Sequence, residues 1–273
     1  GATVVINTDG TVGIVTQTSV STSVGTPVVY ESYAVDSISA AYDSTNGKVV
    51  IAYRQFGYSS QSGRAVVGTV SGTSISFGTP VEFNSQNTSH CAAVYDSTNG
   101  KVVIGYRDDG GANKGRALVG TVSGTSISFG SPVVFESGST TSISAAYDST
   151  NGKVVFAYSD VSNSSYGTAI VGTVSGTSIS FGSPVVYNSA AVGEISSTFD
   201  STNGKVVFAY SDDGNSAYGT AIVGTVSGTS ISFGSASVYE TGSISDNIAV
   251  YDSTNGKVVF AYSDDGNSSY GTA

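Results

Sequence analysis

The string D-S-T-N-G-K-V-V occurs five times in this chain, beginning at Asp43, Asp96, Asp148, Asp200 and Asp252, so the sequence is one unit of 52 or 53 residues written out almost verbatim. A second string, G-T-V-S-G-T-S-I-S-F-G, begins at Gly68, Gly120, Gly172 and Gly224, about half a period out of step with the first. A chain of copies buries its apolar surface by stacking each copy on the next, so the period constrains the architecture before any single residue is considered.

Because each copy needs its neighbours, a single domain over residues 1–273 is expected, with repeats starting near residues 37, 90, 142, 194 and 246. Charged residues are only 11% and Gly is 35 of 273, with Ser and Thr abundant; the profile would suit a disordered linker if Val, Ile, Tyr and Phe did not alternate along the copies. The alternation makes the chain folded and β. No run approaches the roughly 18 apolar residues of a spanning helix, and no charged-then-apolar leader opens the chain, so no membrane insertion is expected. The absence of Met, with a last repeat that stops at Gly271-Thr272-Ala273, reads as a processed chain or a piece of a longer one. Cys91 is alone, which excludes an internal disulfide. A Ser/Thr/Gly-rich β chain of low charge points to an extracellular or virion-surface setting.

In the third copy Ser142–Tyr147 reads as a short strand A rich in small residues, and Asp148-Ser149-Thr150-Asn151-Gly152 as a tight turn whose Asn-Gly supplies positive φ. Lys153 to Ser159 is strand B, Tyr166 to Val174 strand C, and Ser178 to Phe181 strand D, continuing through Pro184 to Val186. Four antiparallel strands in each 52-residue repeat predict a β-propeller, and five A–B hairpins predict five blades. The alternative, a β-solenoid, has much shorter rungs. At the ends, residues 1–10 match the C-strand pattern and residues 24–30 the end of D, so residues 1–30 are expected to complete the last blade and close the ring. Residues 11–23 do not align.

In a propeller the A–B and C–D turns lie on one face and the B–C and D–A loops on the other. Between copies the first set hardly varies and the second varies strongly, from R-Q-F-G-Y-S-S-Q-S-G-R in the first copy to S-D-D-G-N-S-S-Y-G-T in the fifth. Each A–B turn holds one Asp and one Lys; apart from Asp9, the other face carries fourteen acids against Arg54, Arg64, Arg107, Arg116 and Lys114, about nine net negative charges. Such a surface repels phosphate backbones, so nucleic acid is not an expected partner.

The four arginines occupy two equivalent positions in two adjacent copies. They either bridge to nearby Asp108, Asp109 or Glu82, or form a patch that reads a carboxylate or sulfate on a ligand. Tyr166, Tyr218 and Tyr270 recur beside the B–C segments and are placed to stack on a sugar, with Ser62 and Lys114 in their stead in the first two copies. No catalytic residues are expected: adjacent His90 and Cys91 on one strand point opposite ways and read as core filling, and Glu194 with Asp246, at the start of strand A, lack a third acidic partner. No cofactor or metal is expected either. The D-D-G-N-S loops at Asp212 and Asp264 offer oxygens of the kind calcium takes, yet the turn chemistry of Asp, Asn and Gly accounts for them.

On this repeat the chain resembles repetitive five-bladed propellers of phage, marine and environmental sequences, and its architecture is similar to that of tachylectin-type lectin propellers. The resemblance implies a non-enzymatic propeller recognising a glycan or a surface protein through the B–C/D–A face. The rival expectation is a structural module of an extracellular fibre, surface layer or virion appendage, self-associating into a larger assembly.

Overall fold

The computed structural model describes residues 4–6, 12–14, 23–57 and 61–273. Their regular structure is strand, apart from single 3-10 turns at Asp109–Gly111, Val161–Asn163, Asp213–Asn215 and Asp265–Asn267, so the protein is all-β. In the third unit the inner half of Val133–Asp148 pairs with Lys153–Asp160, this with Tyr166–Ser175, and the far half of the latter with Ser178–Phe181, all antiparallel. The same order recurs in the first, second and fourth units. The fifth unit shows Ser237–Asp252, Lys257–Asp264 and the three residues Tyr270–Thr272.

The turns form for the reasons their residues give. Asp148 pairs with Lys153 across the hairpin, and Gly152, at φ +62°, takes the left-handed position a side chain would resist. Asp148 Oδ1 accepts from the backbone N–H of Thr150 and Asn151, Oδ2 accepts from Asn151 Nδ2 at 2.7 Å, and the carboxylate is buried. Lys153 Nζ donates to Thr173 Oγ1 at 2.8 Å, tying the A–B turn to strand C. Lys48 with Thr69, Lys101 with Thr121 and Lys205 with Thr225 repeat this bond, so the invariance of this face has a structural cause.

The fourth strand differs from the expectation. After Phe181 the chain breaks at 182–184, resumes at Val185 and runs unbroken to Asp200. The first part of that 16-residue strand lies beside the near half of strand C, with Ala169 opposite Val185, and its second part, from Val192, is the inner strand of the next sheet. The expected D–A loop is therefore a strand that crosses between sheets. At the crossing the ladder slips, and Ser37, His90, Ser142, Glu194 and Asp246 all stand there with φ between 46° and 50°.

Successive sheets pack face to face. Val155, Ala157 and Val171 of the third unit meet Val206, Phe208 and Ile222 of the fourth in one core, and equivalent clusters join the first to the second and the second to the third. Strand B is buried on both faces as a consequence, which is why Lys153–Asp160 and Lys205–Asp212 read as continuous apolar runs. Residues 23–33 dock on the first unit as the crossing strands dock on theirs: the Tyr30 ring lies 5.2 Å from Tyr53 and 5.7 Å from Phe77, as Tyr187 lies 5.2 Å from Tyr210 and 5.7 Å from Phe233.

On the outward faces of the fifth and first units the described residues leave apolar side chains uncovered. Val250 and Val259 are 57% and 47% exposed on one side, Ile38 and Tyr42 55% and 61% on the other. Tyr95 donates to Thr45, Tyr147 to Thr98 and Tyr251 to Thr202 across successive hairpins, while among the described residues Tyr42 has no such bond. Val4–Ile6 pairs with Val12–Ile14 in an antiparallel hairpin. The remainder of residues 1–22, where the completion of the last blade was expected, lies outside the described residues.

Candidate functional site

The end of the sheets opposite the Asn-Gly turns is where the copies diverge. Strand B ends there in a 3-10 turn followed by left-handed residues such as Ala112 and Ser164. Asp108 Oδ1 accepts from Gly111 N–H at 3.0 Å and Asp160 Oδ1 from Asn163 N–H at 3.2 Å, so these acids cap the turns.

Three of the four arginines are engaged. Arg54 makes a two-point pair with Asp36, its Nε 2.6 Å from Oδ1, and its guanidinium lies 4.6 Å from the centre of the Phe56 ring. Arg54 also reaches within 4.0 Å of Asp109, which Arg107 Nε approaches at 2.7 Å, so a chain of alternating charge bridges the first two units. Arg116 Nε lies 2.8 Å from Asp108. Of the sequence-expected partners Asp108 and Asp109 are used, Asp36 is added, and Glu82 forms no ion pair.

Arg64 stands apart by its lack of a carboxylate: the Nε atoms of Arg64, Arg107 and Arg116 are all buried without a well-aligned hydrogen bond, but Arg107 and Arg116 each have an Asp oxygen within 2.8 Å, and among the described residues Arg64 has none. The reason is one position on strand B. Where the later units have Asp108, Asp160, Asp212 and Asp264, the first has Gln55, which is neutral. Arg64, Gln55, Tyr30, Glu31 and Tyr33 line an open cavity of about 410 Å³. Glu31 was not singled out by sequence; its signal was the repeat position it shares with Glu136 and Glu240, each of which accepts from the Tyr of its own strand B.

Tyr166 and Tyr218 open strand C at this same end and are half-buried, whereas Tyr270 is 62% exposed. Each lies opposite the Asp that ends strand B, Asp160, Asp212 and Asp264 respectively. The structure thus gathers the seven sequence-nominated residues at one end of the sheets, but at separate units rather than in one pocket.

A second cavity, of about 360 Å³, lies where the inner strands converge and is lined by His90, Ser142, Glu194, Asp246 and Asn247. His90 is therefore not core filling, as the alternation of strand A had implied: the left-handed turn at the crossing directs it into this opening. Its Nδ1 accepts from Ser142 N–H at 3.3 Å, and burial, then Arg107, holds its pKa below the ordinary value. Cys91 is core, and burial pushes its thiol up to about 12, so no thiolate is available for chemistry. Glu194 Oε2 accepts from Asp246 N–H at 3.2 Å. In the D-D-G-N-S loops Asp213 accepts from Ser211, and Asp265 from Ser245, Ser263 and Ser269, so these carboxylates are satisfied by hydroxyls. Among the described residues no group of three or more His, Cys, Asp or Glu side chains is arranged to hold a metal, and no helix is long and apolar enough to cross a membrane.

No family model and no curated protein matches the chain. Among solved structures it is similar to SapL1 lectin, determined in complex with alpha methyl fucoside, with a TM-score of 0.50 and 14% identity over 83% of this chain and 71% of that one. At that identity the likeness concerns the fold alone.

Proposed function

We propose that the protein is a non-enzymatic binding propeller that recognises glycans on an extracellular or virion surface through the end of its sheets bearing the B–C turns and strand crossings. One observation carries the reading. The opposite end is fixed by an Asp–Asn bond in all five copies and by a Lys–Thr bond in the first four, whereas at the B–C end nothing in the shared framework requires Arg64, Tyr166 or Tyr218. The lectin-like fold is consistent with it. Closure into five blades belongs to the same proposal: residues 1–30 supply the outer strands of the fifth sheet and cover the exposed apolar faces of the fifth and first units. A glycan array probed with the native chain, including α-fucosides, tests the function. Binding that Tyr166→Ala and Tyr218→Ala weaken and Lys153→Ala leaves intact is expected; loss through Lys153→Ala alone places the site on the wrong end.

A further inference from the structure

The cavity of the first unit combines groups that no other described unit combines. Among the described residues Arg64 has no carboxylate partner, because Gln55 replaces the Asp that neutralises its counterpart Arg116 at 2.8 Å. Glu31 is an acceptor held rigidly: Oε1 accepts from Ser32 N–H at 2.8 Å and Tyr33 N–H at 3.3 Å, and Oε2 accepts from Tyr53 OH at 3.0 Å. A carboxylate has about four lone-pair positions, so Oε2 keeps one open. The second unit has Asn84 in place of Glu31 and Gln86 in place of Tyr33; the third and fifth keep the Glu but have Thr168 and Thr272 where the arginine stands. Tyr33, 50% exposed, gives the opening an aromatic wall.

We propose that this cavity binds one neutral pyranose residue, with adjacent hydroxyls bridging Arg64 and Glu31 and an apolar ring face against Tyr33. This rests on reading the B–C end as the recognition surface. A hydroxyl accepts and donates, so a vicinal pair satisfies a donor-only guanidinium and an acceptor-only carboxylate together. An anionic ligand would bring its charge to Glu31 and a cationic one to Arg64, so the pair selects against both. The volume of about 410 Å³ falls in the range of roughly 300–1,000 Å³ for small-molecule sites.

The test immobilises neutral hexosides, 6-deoxyhexosides, hexuronates and sulfated hexosides, and measures retention of the native chain and of Arg64→Thr, Arg64→Lys, Glu31→Gln and Arg116→Thr, each checked by thermal melting. Retention on at least one neutral sugar, lost at least tenfold in Arg64→Thr and Glu31→Gln and unchanged in Arg116→Thr, is expected; Arg64→Lys, keeping charge without the fork, should fall between. Retention that survives both Arg64→Thr and Glu31→Gln but fails in Tyr166→Ala overturns this site while sparing the wider proposal. Retention only on charged sugars overturns the neutral assignment. No retention on any sugar overturns both.

Discussion

Gly182 and Gly234 occupy the same position in successive units, yet their surroundings differ among the described residues. A Cβ on Gly182 would overlap the carbonyl oxygen of Thr229 in the next unit and sit 2.9 Å from its carbon, and Gly25, Gly78 and Gly130 face Thr73, Thr125 and Thr177 in the same way. None of these glycines has positive φ, so the obstacle is steric alone. Among the described residues a Cβ on Gly234 meets nothing nearer than Val223 O at 3.9 Å, and the described part of the fifth unit shows no turn to face it. The Cβ would lie 1.8 Å from Thr229 O, far inside the roughly 3.5 Å at which non-bonded atoms settle, so Gly182→Ala must push the two units apart by more than about one ångström, at a cost of about 1–3 kcal/mol or more for overpacking. At about 2–4 °C per kcal/mol in a domain of this size, melting should fall by roughly 2–12 °C. If residues 1–30 complete the fifth sheet, Thr11 stands in the alignment where Thr229 stands and Gly234→Ala should cost as much. Calorimetric melts of the two variants decide it. A drop in Gly182→Ala with Gly234→Ala unchanged refutes the closure; no drop in Gly182→Ala refutes the steric argument itself.

Cys91, buried with its thiol pushed up to about 12, should resist a disulfide-exchange reagent in the native chain and react at the rate of a free thiol once unfolded; rapid native labelling would show that the first two sheets part easily. His90 has a folded pKa below its ordinary 6.5, so the unfolded chain takes the proton more readily, and stability should fall as pH drops from about 6.5 towards 5 and be flat above. His90→Ser, the residue its counterparts Ser37 and Ser142 already carry, should flatten melting temperature against pH in that window; an unchanged slope would refute the assignment to His90. Adding calcium or a chelator should leave the melting temperature unchanged, because Asp213 and Asp265 already accept from hydroxyls; a rise that Asp265→Asn abolishes would establish a metal site.

The repeat and its hairpins were legible because their determinants are local. Asp148, Asn151 and Gly152 close a turn by bonds within five residues, and alternation alone marks strands B and C. The crossing strand was not legible, because whether residues 185–200 form a loop or one strand depends on the edge of strand C, to which Val185 and Val186 pair, and on a slip that turns Glu194 left-handed. A left-handed Ser, His, Glu or Asp carries no sequence signal of the kind Asn-Gly gives, and so His90 was assigned to the wrong side of its strand.

The arginines show a second limit and a way past it. Read one at a time, Arg54, Arg64, Arg107 and Arg116 are equivalent as ion-pair formers or ligand readers, and no property of an arginine separates the two. What separates them is the residue opposite: Asp36, Asp108 and Asp109 reach three of them, and Gln55 stands where an Asp would reach the fourth. In a chain of near-identical copies each unit serves as a control for the next. Units three to five hold an Asp at the end of strand B with Thr168, Thr220 or Thr272 and no arginine, the second adds an arginine and keeps the Asp, and the first keeps the arginine and loses the Asp. A partly buried guanidinium with no carboxylate partner among the described residues costs free energy unless something satisfies it. The framework tolerates Thr at that position in three copies, so packing does not demand the charge. A ligand that supplies the missing acceptor is the simplest reason for Arg64 to remain, and Arg64→Thr, if it raises stability while it abolishes binding, would show the two demands in opposition.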